Sequence, residues 1–505
     1  MKSIDKKWIL KGTLFTQSPL IVGSGDDSQD VDIIIMKDPE GKPYIPATSI
    51  AGVLRSKFLD KNNEVKINIE SSSSEGPKKE EEEEIIKNIW GFTKEKDIVE
   101  SSLIFSDATL VEAGNIEVRD GVKINNQTGI AESRKKYDYE IVPKDTRFDF
   151  KLILEKANNE QEIVHKKFMN TIMGILQNSN AQFGSKTTNG CGQVKLENAE
   201  ITEFDFSNLD GLLNWLIDPD AGKPILIEKA LIFKLKEPSI LDITIDADIK
   251  DSLLIRSYSK DINAPDIVQM KSNGEYVIPG STIKGVLRHR AEKIVNTIST
   301  LQEEDNRRSL NQLFGYVEPE KKSEVAKKSR FYVDESIINP LGVVGDKVQT
   351  RIKIDRFTGG TIHSALLEEM PLWSTANCVE NATESQTKIH FSIKNPQDWE
   401  IGLALLLMKD IMTADVPFGG DVAIGRGLMS CKGVSIKINE TEYTLQQKWN
   451  TDTDKNRYEI AFGKNLNDNA KEKLEKSVTS FKNEFNAKQK KEGQSNGDKN
   501  LSQDK

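Results

Sequence analysis

Residues 41–55 read GKPYIPATSIAGVLR, and residues 274–288 read GEYVIPGSTIKGVLR. Pro46 and Pro279 lie 233 positions apart. A second pair keeps nearly that spacing: FGSKTTNGCGQV begins at Phe183 and FGGDVAIGRGLM at Phe418, 235 positions on. Two signatures recurring in the same order mean two copies of one domain, each of roughly 200 residues. Four more landmarks match in sequence: 88–91 (NIWG) with 312–315 (QLFG), 103–110 with 330–337, 122–131 with 352–361, and 140–155 with 369–393, the last longer in the second copy.

Each copy opens on a β-like run, ILKGTLFT (9–16) or ALIFKLKE (230–237). A helix follows the IP motif. Its apolar stripe is Ile50, Val53, Leu54 and Phe58 in the first copy and Ile283, Val286, Leu287, Ile294 and Val295 in the second, with Thr48 or Ser49, and Ser281, as expected N-caps. Alternation in 148–155 and 388–394 predicts strands, and helices are expected over 161–178 and 397–413, just before the glycine-rich segments. Strand, helix, strands, helix, strand is the split βαβ order. The predicted fold is α+β: two tandem ferredoxin-like, RRM-like domains with insertions. The expected division is 1–222 and 223–440, a C-terminal extension over 441–486 and a disordered tail over 487–505. Residues 61–84, polar and rich in Glu, read as a flexible insertion.

The 505 residues suffice for two buried cores, and 30% charged against 37% hydrophobic residues suits a soluble chain. No run approaches the ~18 apolar residues of a membrane span, so no membrane partner is expected. The start, MKSIDKKWILKG, lacks a signal-peptide pattern. Three scattered cysteines (Cys191, Cys378, Cys431) fit a reducing cytoplasm, and four scattered histidines fit no ordinary zinc spacing. The net charge of −9 speaks against nucleic acid. The acid is unevenly placed, however, with a run at Glu80–Glu84, and a local basic groove is compatible with it.

The IP segments lead into helix N-termini, whose free N–H groups and partial positive charge suit phosphate. Thr48, Ser49 and Arg55 in one copy, and Ser281, Thr282, Lys284, Arg288 and Arg290 in the other, are the candidate contacts; the bland reading is capping and a solvated face. The glycine-rich segments supply Gly184, Ser185, Lys186 and Gly190, and Gly419, Gly420, Gly425 and Arg426. Glycine lets a ligand approach the main chain, although a plain helix-to-strand turn needs the same residues. Neither segment fits GxxxxGK[ST], so no Walker-type site is indicated. Upstream of each IP motif lies a carboxylate-bearing loop. Asp32 is 14 residues before Pro46 and Asp266 is 13 before Pro279. Asp26, Asp27 and Asp30 neighbour the one, and Asp261 the other. Such a carboxylate beside RNA can serve as general base on a 2′-hydroxyl or hold a divalent metal, and it can equally cap a turn. The GSGDD at 23–27 is similar to the GGDD of nucleotide-cyclase palms in one imperfect copy only.

Taken together these segments resemble the repeat-associated RNA-binding (RAMP) superfamily of CRISPR systems, most nearly the backbone subunit of type III effector complexes. That subunit has a glycine-containing loop, an aspartate, a KDP turn (here Lys37–Asp38–Pro39), an IPGSSLKGxxR segment and a late glycine-rich loop, in this order. The resemblance covers most of residues 9–435, and two such domains in one chain resemble the fused forms of the type III-D branch. It implies a subunit that grips CRISPR guide RNA beside other effector subunits, presents it to complementary single-stranded target RNA, and interrupts the duplex with a hairpin from each domain. It further implies cleavage by Asp32 and Asp266 with a divalent metal, Mg or Mn, leaving a 2′,3′-cyclic phosphate. The chain departs from the pattern at Ala47 and Ala51, where glycine and lysine are usual, and at Lys271–Ser272–Asn273, which replaces the second KDP turn. A non-catalytic guide scaffold is the alternative. A guide-processing endoribonuclease is another, but of His165, His289, His363 and His390 only His289 lies at a repeated motif, opposite Ser56.

Overall fold

In the first half, β1 (Lys6–Thr16) is followed by α1 (Ala47–Phe58), α2 (Lys79–Trp90), β2 (Leu103–Phe105), β3 (Glu117–Ile124), β4 (Ala131–Ile141), β5 (Arg147–Lys156), α3 (Glu162–Gln177), β6 (Val194–Asp205) and α4 (Leu209–Ile217). Strands β6, β1, β5 and β2 neighbour one another in that order, all antiparallel, with Lys223–Pro224 added beside β6. The fourth core strand lies beside the first, and the third beside the second, which is the ferredoxin-like arrangement. The computed structural model describes residues 4–26, 31–67, 79–94, 97–112, 115–125, 128–156, 162–220, 222–225, 231–235, 238–258, 263–316, 326–375, 386–439, 441–449, 458–462 and 468–486.

The second half repeats the plan with β7 (Ile240–Ile249), β8 (Arg256–Ser257), β9 (Ile267–Gln269), α5 (Gly280–Ile298), α6 (Glu303–Phe314), β10 (Phe331–Val333), β11 (Gln349–Arg351), β12 (Leu367–Met370), β13 (Thr387–Lys394), α7 (Asp398–Met412) and β14 (Met429–Ile438). The order β14, β7, β13, β10 matches that of the first sheet. Two more strands, β15 (Thr441–Trp449) and β16 (Tyr458–Phe462), extend this sheet beyond β14, and α8 (Asp468–Glu484) closes the described chain. The fold class is α+β with two such domains, as the repeat predicts.

Alternation along each strand puts one side chain in two against the helices. Leu10, Leu14, Phe148, Phe150 and Leu152 pack with Ile50, Leu54 and Phe58 of α1 and Phe168, Ile172 and Leu176 of α3, all fully buried. The second core repeats this with Leu241, Ile243, Ile245, Phe331 and Phe391 against Ile283, Leu287, Leu403 and Leu407. The two glycines at the ends of NIWG and QLFG, Gly91 and Gly315, have φ of 69° and 79°. Arg55 of α1 donates to the carbonyls of Trp90 and Gly91 at 2.9 and 3.0 Å, and Arg288 of α5 to that of Gly315 at 3.2 Å. Each arginine thereby satisfies carbonyls at the end of the next helix that have no helical partner.

Four expectations need correction. The N-caps are Pro46 and Pro279, not Thr48, Ser49 or Ser281, which fall within the first turn. Proline presets φ, and its missing N–H costs nothing at a helix start. The first compact unit runs on past residue 222 and the second begins at Pro238, with Thr188–Gly190 counted in the second. The run 230–237 therefore does not open the second domain, a role taken by β7. Phe233 is 4% exposed against α3, and its N–H donates to Thr171 Oγ1 at 2.8 Å. The insertion at 61–84 is not all loop: Lys79–Glu84 begin α2, where an acidic first turn suits the helix dipole, and Glu82 pairs with Lys167 at 3.0 Å. Residues 68–78 and the tail 487–505 lie outside the described residues. The extension 441–486 is part of the second unit. Phe481 and Phe485 of its last segment are each 1% exposed, and Phe485 meets Trp399 of α7 at 5.6 Å.

This packing predicts that Phe481→Ala destabilises the second unit by ~3 kcal/mol or more, measurable by denaturant unfolding. A second expectation concerns His390 of β13, held between Asp334 (Nδ1 to Oδ2, 2.5 Å) and Asp242 (Nε2 to Oδ2, 2.8 Å). Burial alone would lower its pKa, but the two carboxylates outweigh it and push it up to about 10. Its folded value exceeds the unfolded one, about 6.5. The pair's contribution is thus complete below that value and is lost as pH rises through about 10. The difference in melting temperature between the native chain and Asp242→Asn should be largest near pH ~6 and close by pH ~10.5.

Candidate functional site

The loop after β1 folds back on itself. Ser24 N–H donates to Ile34 O at 3.0 Å and Met36 N–H to Val22 O at 2.7 Å. In the second unit β8 and β9 do the same, with Met270 N–H on Ile255 O at 2.9 Å. The returning limb then runs parallel to one strand of a long hairpin: Ile33 bridges Tyr139 of β4, and Ile267 bridges Glu369 of β12. Asp32 and Asp266 each stand one residue before that bridge. Asp32 Oδ2 accepts the N–H of Asp138 at 2.8 Å, and Asp266 Oδ2 accepts the N–H of Glu368 at 2.9 Å. Both aspartates are exposed. The two candidates therefore occupy one backbone position in two copies, each with a carboxylate fixed by a hairpin amide. Asp26 is also exposed, its N–H on Ser24 Oγ at 3.1 Å. Asp27, Asp30 and Asp261 lie outside the described residues.

The same bridges show that Glu140 and Glu369, which head the last matching segments, are not equivalent: Tyr139 is the partner of Glu369. A one-residue slip exchanges the faces of a strand. Glu140 turns to the aspartate loop, accepting from Ile35 N–H at 3.1 Å and Lys37 Nζ at 2.8 Å.

The glycine-rich segments superpose closely in their bonding. Phe183 N–H donates to Gly192 O at 2.8 Å and Phe418 N–H to Gly427 O at 2.9 Å. Ser185 N–H reaches Ile21 O, and Gly420 N–H reaches Leu254 O, both at 2.8 Å. Gly192 and Gly427 have φ of 87° and 83°, and a Cβ on either would collide with the carbonyl of Phe183 or Phe418. Only glycine fits there. Lys186 and Asp421 are equivalent, and both are left-handed, φ 53° and 58°.

At that shared position the chemistry is opposite. Lys186 Nζ sits 3.3 Å from the centroid of the Tyr139 ring and 3.1 Å from Tyr137 Oη, and burial pushes it down to about 8. This is a cation–π clamp between the segment and β4. In the second unit Arg426, 3% exposed, pairs with Glu369 at 3.1 Å and Asp421 at 2.9 Å. Arg351 reaches Glu369 at 3.0 Å, and Arg256 reaches Asp421 at 2.8 Å. Three guanidinium groups and two carboxylates clamp the segment to β12 and β8.

The other predicted phosphate contacts are placed as follows. Thr48 and Ser281 are exposed on the first turns, beside the half-buried Ser49 and Thr282. At α1 the Ala47 N–H already donates to Asp107 Oδ1 at 2.7 Å. The basic candidates are engaged internally: Arg55 and Arg288 on helix ends, Arg290 on Asp410 at 2.6 Å, Arg426 as above. Lys284 Nζ donates to Thr188 Oγ1 at 2.8 Å, within the second unit, and burial pushes it down to about 7. Gly184, Gly190, Gly419 and Gly425 all have positive φ. Gly184, Ser185 and Gly425 are exposed, Gly190 is buried, and Gly419 and Gly420 are intermediate.

Sequence reasoning missed the hairpins as carriers of charge. Arg134 and Lys135 are exposed on β4, and SRKKY at 133–137 is the signal that marks them. It also missed Asp120, which lies directly across from Asp138. Their side chains share a hydrogen bond, which raises the Asp138 carboxyl, with burial adding to it. In the second unit the hairpin tip Asp355–Gly360 leaves Phe357 fully exposed.

Among the described residues, no three His, Cys, Asp or Glu side chains converge as metal ligands, and no helix is long and apolar enough to cross a membrane. The CRISPR system Cms endoribonuclease Csm3 of Streptococcus thermophilus is 25% identical over 195 residues, covering 36% of this chain and 84% of that protein. A family model described as the RAMP superfamily matches residues 13–195 and 247–430, one stretch for each copy of the repeat. The chain belongs to the RAMP superfamily, with two RAMP domains in tandem.

Proposed function

We propose that this protein is a guide-RNA-binding backbone subunit of a type III CRISPR effector complex, and that each domain cleaves complementary target RNA at its own aspartate. The observation that carries this reading is the paired hold on Asp32 and Asp266: exposed carboxylates, one oxygen fixed by a hairpin amide, at one position in both copies. Fixing one oxygen orients the other toward a ligand on the loop. That second oxygen takes the proton of a target 2′-hydroxyl. The 2′-oxygen attacks the adjacent phosphorus, the 5′-oxygen leaves with a proton from solvent, and a 2′,3′-cyclic phosphate remains. If a divalent cation, Mg or Mn, is bound instead, Asp32 or Asp266 would be the residue to hold it, and it would supply neutralisation of phosphate charge.

Guide RNA is held by its backbone, and sequence choice passes to base pairing. Arg134 and Lys135, exposed on the first hairpin, are cations placed to take part. The hairpins, with Phe357 at the tip of the second, interrupt the guide–target duplex. The scaffold reading draws support from the lack, among the described residues, of three ligand side chains converging at either site.

Cleavage by the guide-loaded complex with Mg²⁺ decides between them. Asp32→Ala and Asp266→Ala should each remove one discrete cut, by about 100-fold or more, with guide binding unchanged. Unchanged cutting in the double variant, with guide still bound, makes the chain a scaffold. Guide affinity should also fall about tenfold or more between ~50 and ~500 mM salt, irrespective of guide sequence. A flat response in a filter-binding titration would remove the phosphate-based grip.

A further inference from the structure

The first domain carries a feature its repeat lacks. In the second unit β14 runs into β15, whereas β6 is followed by α4. The segment 208–222, NLDGLLNWLIDPDAG, has three aspartates and no lysine or arginine. The helix is anchored at its start and through Trp215. Asn208 caps it, accepting from Gly211 N–H at 2.7 Å. Trp215 lies edge-on against Phe204 at 5.0 Å, with Lys7 Nζ 4.2 Å from its ring. Its outer face is apolar as well. Leu209, Leu212, Leu213, Leu216 and Ile217 are 41–80% exposed. Positions 209, 212, 213 and 216 follow the i, i+3, i+4, i+7 spacing of one continuous stripe.

A helix apolar on both faces is one that is covered on both. The second unit shows the covered condition: α7 is buried nearly all round because α8 lies on it. Nothing in the described chain covers α4. The stripe is bordered by Asp210 and Asp218, both exposed. Those carboxylates decide the occupant. They repel RNA phosphate and anionic lipid. A two-fold pairing of α4 with itself would bring the carboxylates of both copies together along the same stripe. A surface of opposite charge around an apolar centre is complementary to it.

We propose that the outer face of α4 docks another protein subunit, through an apolar helix or groove flanked by lysines or arginines. This does not rest on the RNA-cleavage reading, and its test is separate. Benzoylphenylalanine is placed at Leu213 of the full chain, the assembled complex is isolated from its own host, irradiated, and its cross-linked peptides are identified by mass spectrometry. The expected product joins Leu213 to a different protein, at apolar residues flanked by lysine or arginine. Leu212→Asp with Leu216→Asp should reduce retention of that subunit at least tenfold. Guide RNA content and circular dichroism should stay unchanged, because both side chains are on the surface. A cross-link to RNA, to lipid or to a second copy of this chain overturns the proposal. So does the absence of any protein cross-link, or undiminished retention in the double variant.

Discussion

Two main-chain hydrogen bonds, made once in each domain, hold the rest of the site in place. The glycine-rich segment donates from Ser185 or Gly420 to the strip of chain that leaves the first strand, at Ile21 or Leu254. Gly192 and Gly427 donate to the same strip, at Pro19 and Ser252, 2.8 and 2.7 Å away. These bonds pin the base of the aspartate loop to the start of the last core strand. The loop's outer limb can then lie along the hairpin and meet the amide that fixes Asp32 or Asp266. Since the bonds run between backbones, they survive wide changes in side chains, provided glycine remains where no Cβ fits.

The two domains have used that freedom. On one backbone, the first domain closes segment against hairpin with a lysine over two tyrosine rings. The second closes it with three arginines around two carboxylates. A cation–π contact needs little desolvation of the carboxylate kind. A buried ion network has high stakes, because removing one partner strands the others. Arg426 is therefore better regarded as a strut than as a hand extended to RNA. Arg55 and Arg288, which fasten one helix to the end of another, are struts of the same kind.

Much of this was legible in the sequence, because duplication writes each element twice. The 3.6-residue stripe of Ile50, Leu54 and Phe58, the alternation of 148–155 and the two glycine-rich segments specify local structure that tertiary packing then confirms. The one-residue gap that sets Asp32 opposite Asp266 agrees with the bridges of Ile33 and Ile267. What was not legible depends on contacts remote in sequence. That Arg55 turns inward is decided by carbonyls at 90 and 91, which no local pattern announces. The run at 230–237 alternates like a strand, yet Phe233 is claimed by Thr171 and the core below it. Proline displaced the expected caps because its fixed φ, not a side-chain hydroxyl, starts both helices. The register of the hairpin was misread by one residue, since glutamate appears on both strands and only pairing distinguishes the faces.

Phe233 bears on how the duplication can be taken apart or rebuilt. The stretch joining the domains is, in its first part, a component of the first domain's interior, bonded to α3 and shielding it. It cannot act as a tether whose length sets reach. Lengthening it between domains leaves the first fold intact only if residues are added beyond Leu235. Cutting at the point where the sequence repeat resumes would uncover α3 and leave Asn170 and Thr171 without the partners that Leu231 and Phe233 supply. Any engineered separation of the halves has to leave that covering strip with the first of them.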